Sequence, residues 1–408
     1  MIGPLVSVAI LVLGGFSRHQ GPADPGIIYP DSSVPVFDNG RTAHTNYVFW
    51  VGTPQQHHDS PDLISPEPFG PQRTVTPSGY YPADIRAAYH LPSLAGAKAI
   101  AIVDAYHTPT ALNDFNVFSK QFGLPVETST TATATKNNVF QVVNPTNAKL
   151  TTNTSWGQEA TLDIEWAHAI APNAKIYLVE AATNSTDDLY AAVKLAAGLP
   201  GVAEVSMSWG SPEFPTEYAY DSTFVQKGVV FIASSGDTGA PEYPAAGVNV
   251  VGVGGTSLTM SKGAFVSETP WGSSGGGPSA YTKLPAFQSA FSSIFKYRGG
   301  PDISCVADPK TAVAVYFSGS SSGPGWTTLG GTSVSCQIFA GMVNAAASWQ
   351  TSSAAELTKI YAGLGGADFR SIKITASNLL WRDPGHPTVT KGWNYITGVG
   401  TPLGLHGL

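Results

Sequence analysis

From Lys98 to Val253, short apolar runs alternate with helix-period segments, and this alternation leaves few architectures open. Lys98–Val103 (KAIAIV), Lys175–Glu180 (KIYLVE), Ala203–Ser208 (AEVSMS), Val229–Ala233 (VVFIA) and Val248–Val253 (VNVVGV) have the length and apolar content of buried strands. Leu112–Phe122, Gly157–Ile170, Asp187–Ala197 and Thr216–Lys227 read as helices between them. A short helix, Tyr81–Tyr89, precedes the series, and residues 126–153 read as a hairpin or surface loop. A strand over Ala312–Phe317 leads toward a helix over Ser333–Gln350. Strands separated by helices imply an α/β domain whose mostly parallel sheet has helices on both faces. In such sheets, binding sites form at the carboxyl ends of strands. Asp104, Trp209 and Asp237 each follow an expected strand, so the fold alone gathers them on one edge.

Residues 17–75 lack sustained periodicity and are rich in Pro, Gly, Asp, Ser and His, so they read as a leader or irregular arm. The folded domain is then expected over 76–408. With 408 residues, 42% of them hydrophobic, the chain can bury a large core. Lys and Arg number 21 against a net charge of −7, which offers no basic surface for nucleic acid. Met1–Phe16 is an apolar run suited to a signal-peptide core rather than a membrane span. It lacks an early Lys or Arg and a clear small-x-small cleavage site. Export is the expectation, with a secreted monomer and no stable membrane association. Cys305 and Cys336 are too few for a disulfide scaffold and lack metal-ligand spacing; one bridge or two buried thiols both remain open.

Three short segments carry candidate chemistry. Leu329–Ser335 (LGGTSVS) sets Ser333 behind two glycines at the mouth of a helix, where it is either a nucleophile or a helix cap. Glu159 and Asp163 share a helix face. Like charges so placed usually mark a solvated face, but Leu162, Ile164 and Trp166 around them are apolar. Two carboxyls in a partly buried site share a proton, and Glu159 would then serve Ser333 while Asp163 holds Glu159. Asp237, in Ser234–Gly239 (SSGDTG), is either a turn former or, when protonated, a donor to an oxyanion. No His-Gly-Thr segment occurs to supply an imidazole base. A serine served by carboxylates implies a peptidase working in acid.

Read together and in order, these segments resemble the sedolisins, serine-carboxyl peptidases with a subtilisin-like fold. The resemblance extends through Ile102–Tyr106 (IVDAY), Trp166–Pro172 (WAHAIAP), Ser206–Gly210 (SMSWG), Gly252–Thr256 (GVGGT), Gly300–Ser304 (GPDIS) and Gly398–Pro402 (GVGTP). It implies a secreted endopeptidase that cleaves protein or peptide substrates through an acyl-enzyme on Ser333. Glu159 is then the general base and acid, Asp163 its orienting carboxylate and Asp237 the oxyanion-hole acid. Asp104 and Trp209 match positions that extend the network behind Asp163. Ser208, Gly210, Gly275 and Gly276 are expected to flank the cleft, with backbone open to an extended peptide.

The pattern also departs from the family. The family's calcium site takes two Asp side chains; Ser371 and Asn394 stand at those positions, so no metal or other cofactor is expected, although Asp383 lies between them. The family's Ala-Pro after the nucleophile motif is Cys336-Gln337, expected to change helix packing and not the reacting groups. The arm before Tyr80 looks too short for a folded prodomain; it either shields the cleft or marks a branch without one. Three rival readings are a neutral hydrolase using His107 or His168, a catalytically decayed binding protein on the same scaffold, and a cysteine hydrolase using Cys336.

Overall fold

The computed structural model describes residues 19–20, 26–50, 63–65, 73–145, 150–293, 296–374 and 392–408. Met1–Phe16 and Asp383 lie outside them.

The strand Ala99–Ala105 (β1) shows how the sheet is built. Ile100 and Ile102 point into one core, while Ala99, Ala101, Val103 and Ala105 point into another. A strand apolar on both sides requires cover on both sides. Around it assemble Phe140–Val143 (β2), Lys175–Ala181 (β3), Val202–Met207 (β4), Val230–Ser234 (β5), Val251–Ser261 (β6), Ala264–Pro270 (β7) and Ile303–Val306 (β8). The eight strands run in the order β7-β6-β5-β4-β1-β3-β2, with β8 also paired to β6. All pairings are parallel except that of β6 with β7.

The helices are Pro82–Tyr89 (α1), Ala111–Phe122 (α2), Thr154–Ile170 (α3), Thr186–Ala197 (α4), Thr332–Ala346 (α5) and Ser353–Ala362 (α6). Residues of α2, α3 and α5 share the first core, and α4 contributes Leu189, Ala192, Val193 and Ala196 to the second. The expected α/β architecture with both faces covered is the observed one. α3 and α5 are buried almost throughout. Their polar side chains therefore face protein rather than water, and this placement creates the site.

Four expectations change. Thr216–Lys227 is not an α-helix; Glu217–Phe224 forms 3₁₀ turns in which Glu217, Thr223 and Phe224 alone are buried, too little for an amphipathic face. The 126–153 segment is no hairpin, because β2 joins the sheet edge beside β3. Val313–Phe317 does not enter the central sheet. It pairs antiparallel with Gly325–Leu329, which in turn meets Thr74 and feeds α5.

The fourth change concerns the boundary at residue 76. Ile27–Tyr29 pairs with Phe49–Trp50, His44–Thr45 pairs with Trp209–Gly210, and Val48 bridges Gly330. The described parts of the arm are thus woven into the domain. Strands of two or three residues cannot display a period, which is why their composition reads as irregular.

Candidate active site

Ser333 lies in the first turn of α5. Gly331, just before that helix, has φ +110°, where side-chain-bearing residues are strained. A Cβ there would also collide with the Asn46 carbonyl, Asp237 Oδ2 and Tyr47 Cα. The glycine lets three chain segments converge at the serine. The Ser333 N–H donates to the Asn46 carbonyl at 3.0 Å, and its hydroxyl lies 3.4 Å from the Ser208 carbonyl.

Glu159 and Asp163 sit one turn apart on α3, both with 0% exposure. Asn153 caps this helix, accepting from the amides of Ser155 and Trp156 at 3.1 Å each. Burial pushes the Glu159 carboxyl well above its ordinary range, and the Asp104 carboxylate pushes it further; Ser333 and Asp163 offset part of this. Burial also raises Asp163, reinforced by Asp104 and Glu159. No aligned hydrogen bond joins Glu159 to Ser333 in this resting geometry. Catalytic contacts of that kind commonly tighten when a substrate is engaged.

Asp104 lies inside β1 rather than beyond its end, and burial, followed by the Glu180 charge, holds its carboxyl at about 8. Asp104, Glu159 and Asp163 form one carboxyl cluster in which simultaneous ionisation is strongly disfavoured. Trp209 does not extend that cluster. Its indole N–H donates to the Val103 carbonyl at 2.8 Å, and the ring packs with Tyr190. It fixes the backbone next to Asp104.

Asp237 follows β5. Its Oδ1 accepts from the Thr332 amide at 2.8 Å and the Thr332 hydroxyl at 2.9 Å, while Oδ2 is buried without a partner. Burial raises this carboxyl well above the ordinary range, with the Thr332 bonds offsetting part. A neutral carboxyl is a donor, and Oδ2 shares with the Asn46 carbonyl the space in front of Gly331.

Of the four expected cleft residues, Ser208 and Gly210 form an edge. The Ser208 carbonyl accepts from Asn46 N–H at 3.1 Å, and Gly210 pairs with His44. Gly275 and Gly276 offer no free edge. Gly275 N–H is spent on the Gly236 carbonyl, its own carbonyl accepts from Ser235 Oγ, and Gly276 is packed against the Tyr395 carbonyl. They brace the turn that carries Asp237.

Gln337 escaped the sequence reading, which assigned it to helix packing. Its amide donates to Asp163 Oδ2 at 2.6 Å and to Ser208 Oγ at 2.9 Å. It therefore does touch the reacting groups' support. Its position one turn after Ser333 on the same helix face was the available signal.

The rival bases lie elsewhere. His107 pairs with Glu180 at 2.8 Å, and His168 is buried against Phe115 with Nε2 at 2.8 Å from the Pro125 carbonyl. Cys305 and Cys336 are free and buried, which settles the open question of a bridge in favour of two thiols. Burial holds the Cys336 thiol at about 12, far from a reactive thiolate.

The residues at the family's calcium positions do not fit that ion. Asn394 is buried, and its amide N–H groups donate to the Ile372 carbonyl at 3.1 Å and to Thr397 Oγ1 at 2.7 Å. Its Oδ1 accepts from the amides of Ile396 and Thr397 at 2.9 Å each. A donor thus meets a carbonyl, and Ser371 supplies a neutral hydroxyl where a carboxylate would be needed.

No family model matches the chain. Among curated proteins it is 31% identical over 280 residues to kumamolisin of Bacillus sp. (strain MN-32), covering 60% of this chain and 49% of that protein. It is 25% identical over 364 residues to sedolisin of Pseudomonas sp. (strain 101), covering 80% of this chain and 60% of that protein. It thus spans about half the length of the curated relatives it matches. A solved structure of Pseudomonas sedolisin, a serine-carboxyl proteinase complexed with pseudo-iodotyrostatin, overlaps 80% of this chain and 96% of its own with a TM-score of 0.64 at 24% identity. In sequence the chain is similar to kumamolisin and sedolisin, and in fold it matches the subtilisin-like architecture of the sedolisin structure.

Proposed function

We propose that the chain is a serine-carboxyl endopeptidase, secreted and monomeric, that hydrolyses peptide bonds of proteins in acid through an acyl-enzyme on Ser333. The observation that carries this reading is the Ser333 amide directed at a peptide carbonyl at 3.0 Å, beside the unpartnered Oδ2 of Asp237. A donor at that distance from a carbonyl oxygen is placed to hold the oxyanion that forms when such a carbonyl is attacked.

Glu159 takes the hydroxyl proton of Ser333 as Oγ attacks the carbonyl carbon, then passes it to the leaving amine. Asp163, held by Gln337, orients Glu159. Asp237 stabilises the oxyanion while it is protonated; once ionised it repels the same charge. Activity therefore belongs to the pH range below the raised Asp237 pKa. The family's calcium plays no part here, since Ser371 and Asn394 replace its carboxylates. No helix among the described residues is long and apolar enough to cross a membrane.

Casein hydrolysis in acid by the purified chain tests the reading. Ser333→Ala is expected to abolish turnover and leave the circular dichroism spectrum unchanged. Unaltered hydrolysis by that variant would remove Ser333 from its role.

A further inference from the structure

At the exit of β1, a line of polar side chains runs from solvent to the buried carboxyl cluster. β1 and β3 are parallel, with Asp104 directly across from Glu180. Both carboxyls therefore lie on the α3 side of the sheet, with Ile100, Ile102, Ile176 and Leu178. Past Ala105 the chain turns through Tyr106, at φ +69°, and His107 meets Glu180. His107 Nδ1 lies 2.8 Å from Glu180 Oε2 and 3.0 Å from Oε1, and Thr108 N–H donates to Oε1 at 2.9 Å. The His107 side chain is 42% exposed, that of Glu180 only 2%. His107 N–H also donates to the Thr151 carbonyl at 2.9 Å, and the residue bridges Thr152, just ahead of the Asn153 cap of α3. One residue thus touches solvent, the end of the sheet and the approach to the helix that bears Glu159 and Asp163.

Neither Asp104 oxygen has a hydrogen-bond partner among the described residues, so charge is what acts on it. Glu180 faces it from β3, and Glu159 and Asp163 face it from α3. From α5, Cys336 adds a neutral thiol beside the two α3 carboxyls. On β4, Glu204 lies beside Ile100, four residues down the strand, and is spent on Asn344. α4 covers the opposite face, and its Asp188 accepts from Thr183 Oγ1. Burial and then the Glu180 charge raise Asp104, while burial and then the Asp104 charge raise Glu159. Burial raises Glu180 too, with Thr108 and His107 offsetting part.

We propose that the His107–Glu180 pair decides which carboxyl of the cluster carries the negative charge: Glu180, kept ionised by His107, excludes that charge from Asp104 and leaves it to Glu159 and Asp163. The inference rests on the peptidase reading above, in which Ser333 needs an ionised Glu159. His107 and Glu180 are positioning residues that act through Asp104. Without Glu180, the charge is free to settle on Asp104, from where it holds a proton on Glu159. Without the His107 cation, Glu180 itself takes up a proton in acid, and the constraint on Asp104 is lost there alone. Histidine is suited to this place because it is cationic in acid, where the site works.

The test measures kcat and KM for casein hydrolysis across pH on the purified full-length chain, with urea unfolding to check the fold. His107→Gln keeps a donor to Glu180 and removes the cation. Its acid limb should move up by about half a pH unit, roughly a threefold loss of kcat on that limb, with KM unchanged. His107→Lys supplies a cation again and should restore the limb. Glu180→Gln should lower kcat at every pH, and adding His107→Gln to it should change nothing further. Carboxyl carbon-13 NMR gives a readout apart from activity. The Asp104 signal, identified by its loss in Asp104→Asn, should titrate at lower pH in Glu180→Gln than in the parent chain. Variants that lose stability in urea yet keep the parental pH profile would overturn the proposal and make the pair a strap between sheet and helix. An Asp104 signal that titrates as before in Glu180→Gln would overturn it whether or not casein is cut. A parent chain that leaves casein intact while the Asp104 signal shifts would overturn the peptidase reading alone and bear out the charge placement.

Discussion

On the peptidase reading proposed above, Gln337 and Asp237 are the single side chains that set the working range of the site. The Gln337 amide favours the ionised form of Asp163 by donating to Oδ2 at 2.6 Å. Gln337→Leu removes that donor from a buried carboxyl, a change worth about 1–3 kcal/mol. The acid limb of the kcat/KM profile should move to higher pH with KM unchanged; a profile that keeps its acid limb would make Gln337 a packing residue. Asp237 controls the other limb. Its raised pKa keeps it a donor in acid, and activity should fall as pH climbs through that pKa. Asp237→Asn keeps a neutral donor at every pH, so its profile should lose the alkaline limb, although its maximal rate falls. An unchanged alkaline limb in that variant would assign the titration to another group.

At the scale of elements, the first turn of α5 depends on Gly331. Gly331→Ala places a methyl group against the Asn46 carbonyl, Asp237 Oδ2 and the Tyr47 backbone in a left-handed conformation. The strain of such a residue is about 1–3 kcal/mol. Urea unfolding should show that loss, and casein turnover should drop by far more than the stability, because Ser333 moves with the turn. The loop around Asn394 makes a second prediction. Its amide N–H groups are bonded to the Ile372 carbonyl and Thr397 Oγ1, and it brings no carboxylate for a cation. Metal analysis after dialysis should find no stoichiometric calcium, and a chelator should leave Tm unchanged. A calcium ion that survives dialysis would require ligands beyond those described. The motif residues in this loop were legible as departures from a pattern, but the hydrogen bonds that Asn394 makes were not.

For the whole molecule, the number of buried carboxyls matters more than any one of them. Burial holds Asp104 and Glu204 at about 8 and Glu356 at about 7, and raises Glu159, Asp163, Glu165 and Asp237 as well. The folded chain keeps protons that the unfolded chain releases near its ordinary values of 3.8 and 4.5. The stability from these groups is full below the unfolded values and is lost as pH rises toward about 8. His168 sets the opposite bound: its pKa is lowered to about 4, so its contribution is present above 6.5 and lost as pH falls through about 4. Calorimetry should find Tm higher near pH 5 than near pH 8; a flat Tm across that window would mean that the carboxyls titrate normally.

The sequence by itself determined the α/β class, most of the helices and central strands, and the segments bearing Ser333, Glu159, Asp163 and Asp237. Periods of 2 and 3.6 are local properties, and short motifs carry their residue types with them. The tertiary structure decided what each motif faces. Gln337 bridges Asp163 to Ser208, Trp209 turns to the Val103 carbonyl, and Gly275 is spent beneath Asp237. It also decided that residues 43–48 lie across the serine. A two-residue strand such as His44–Thr45 has no period to read, and its partner Trp209–Gly210 lies more than a hundred residues away. That contact exists only once α3, α5 and the sheet edge have been packed together.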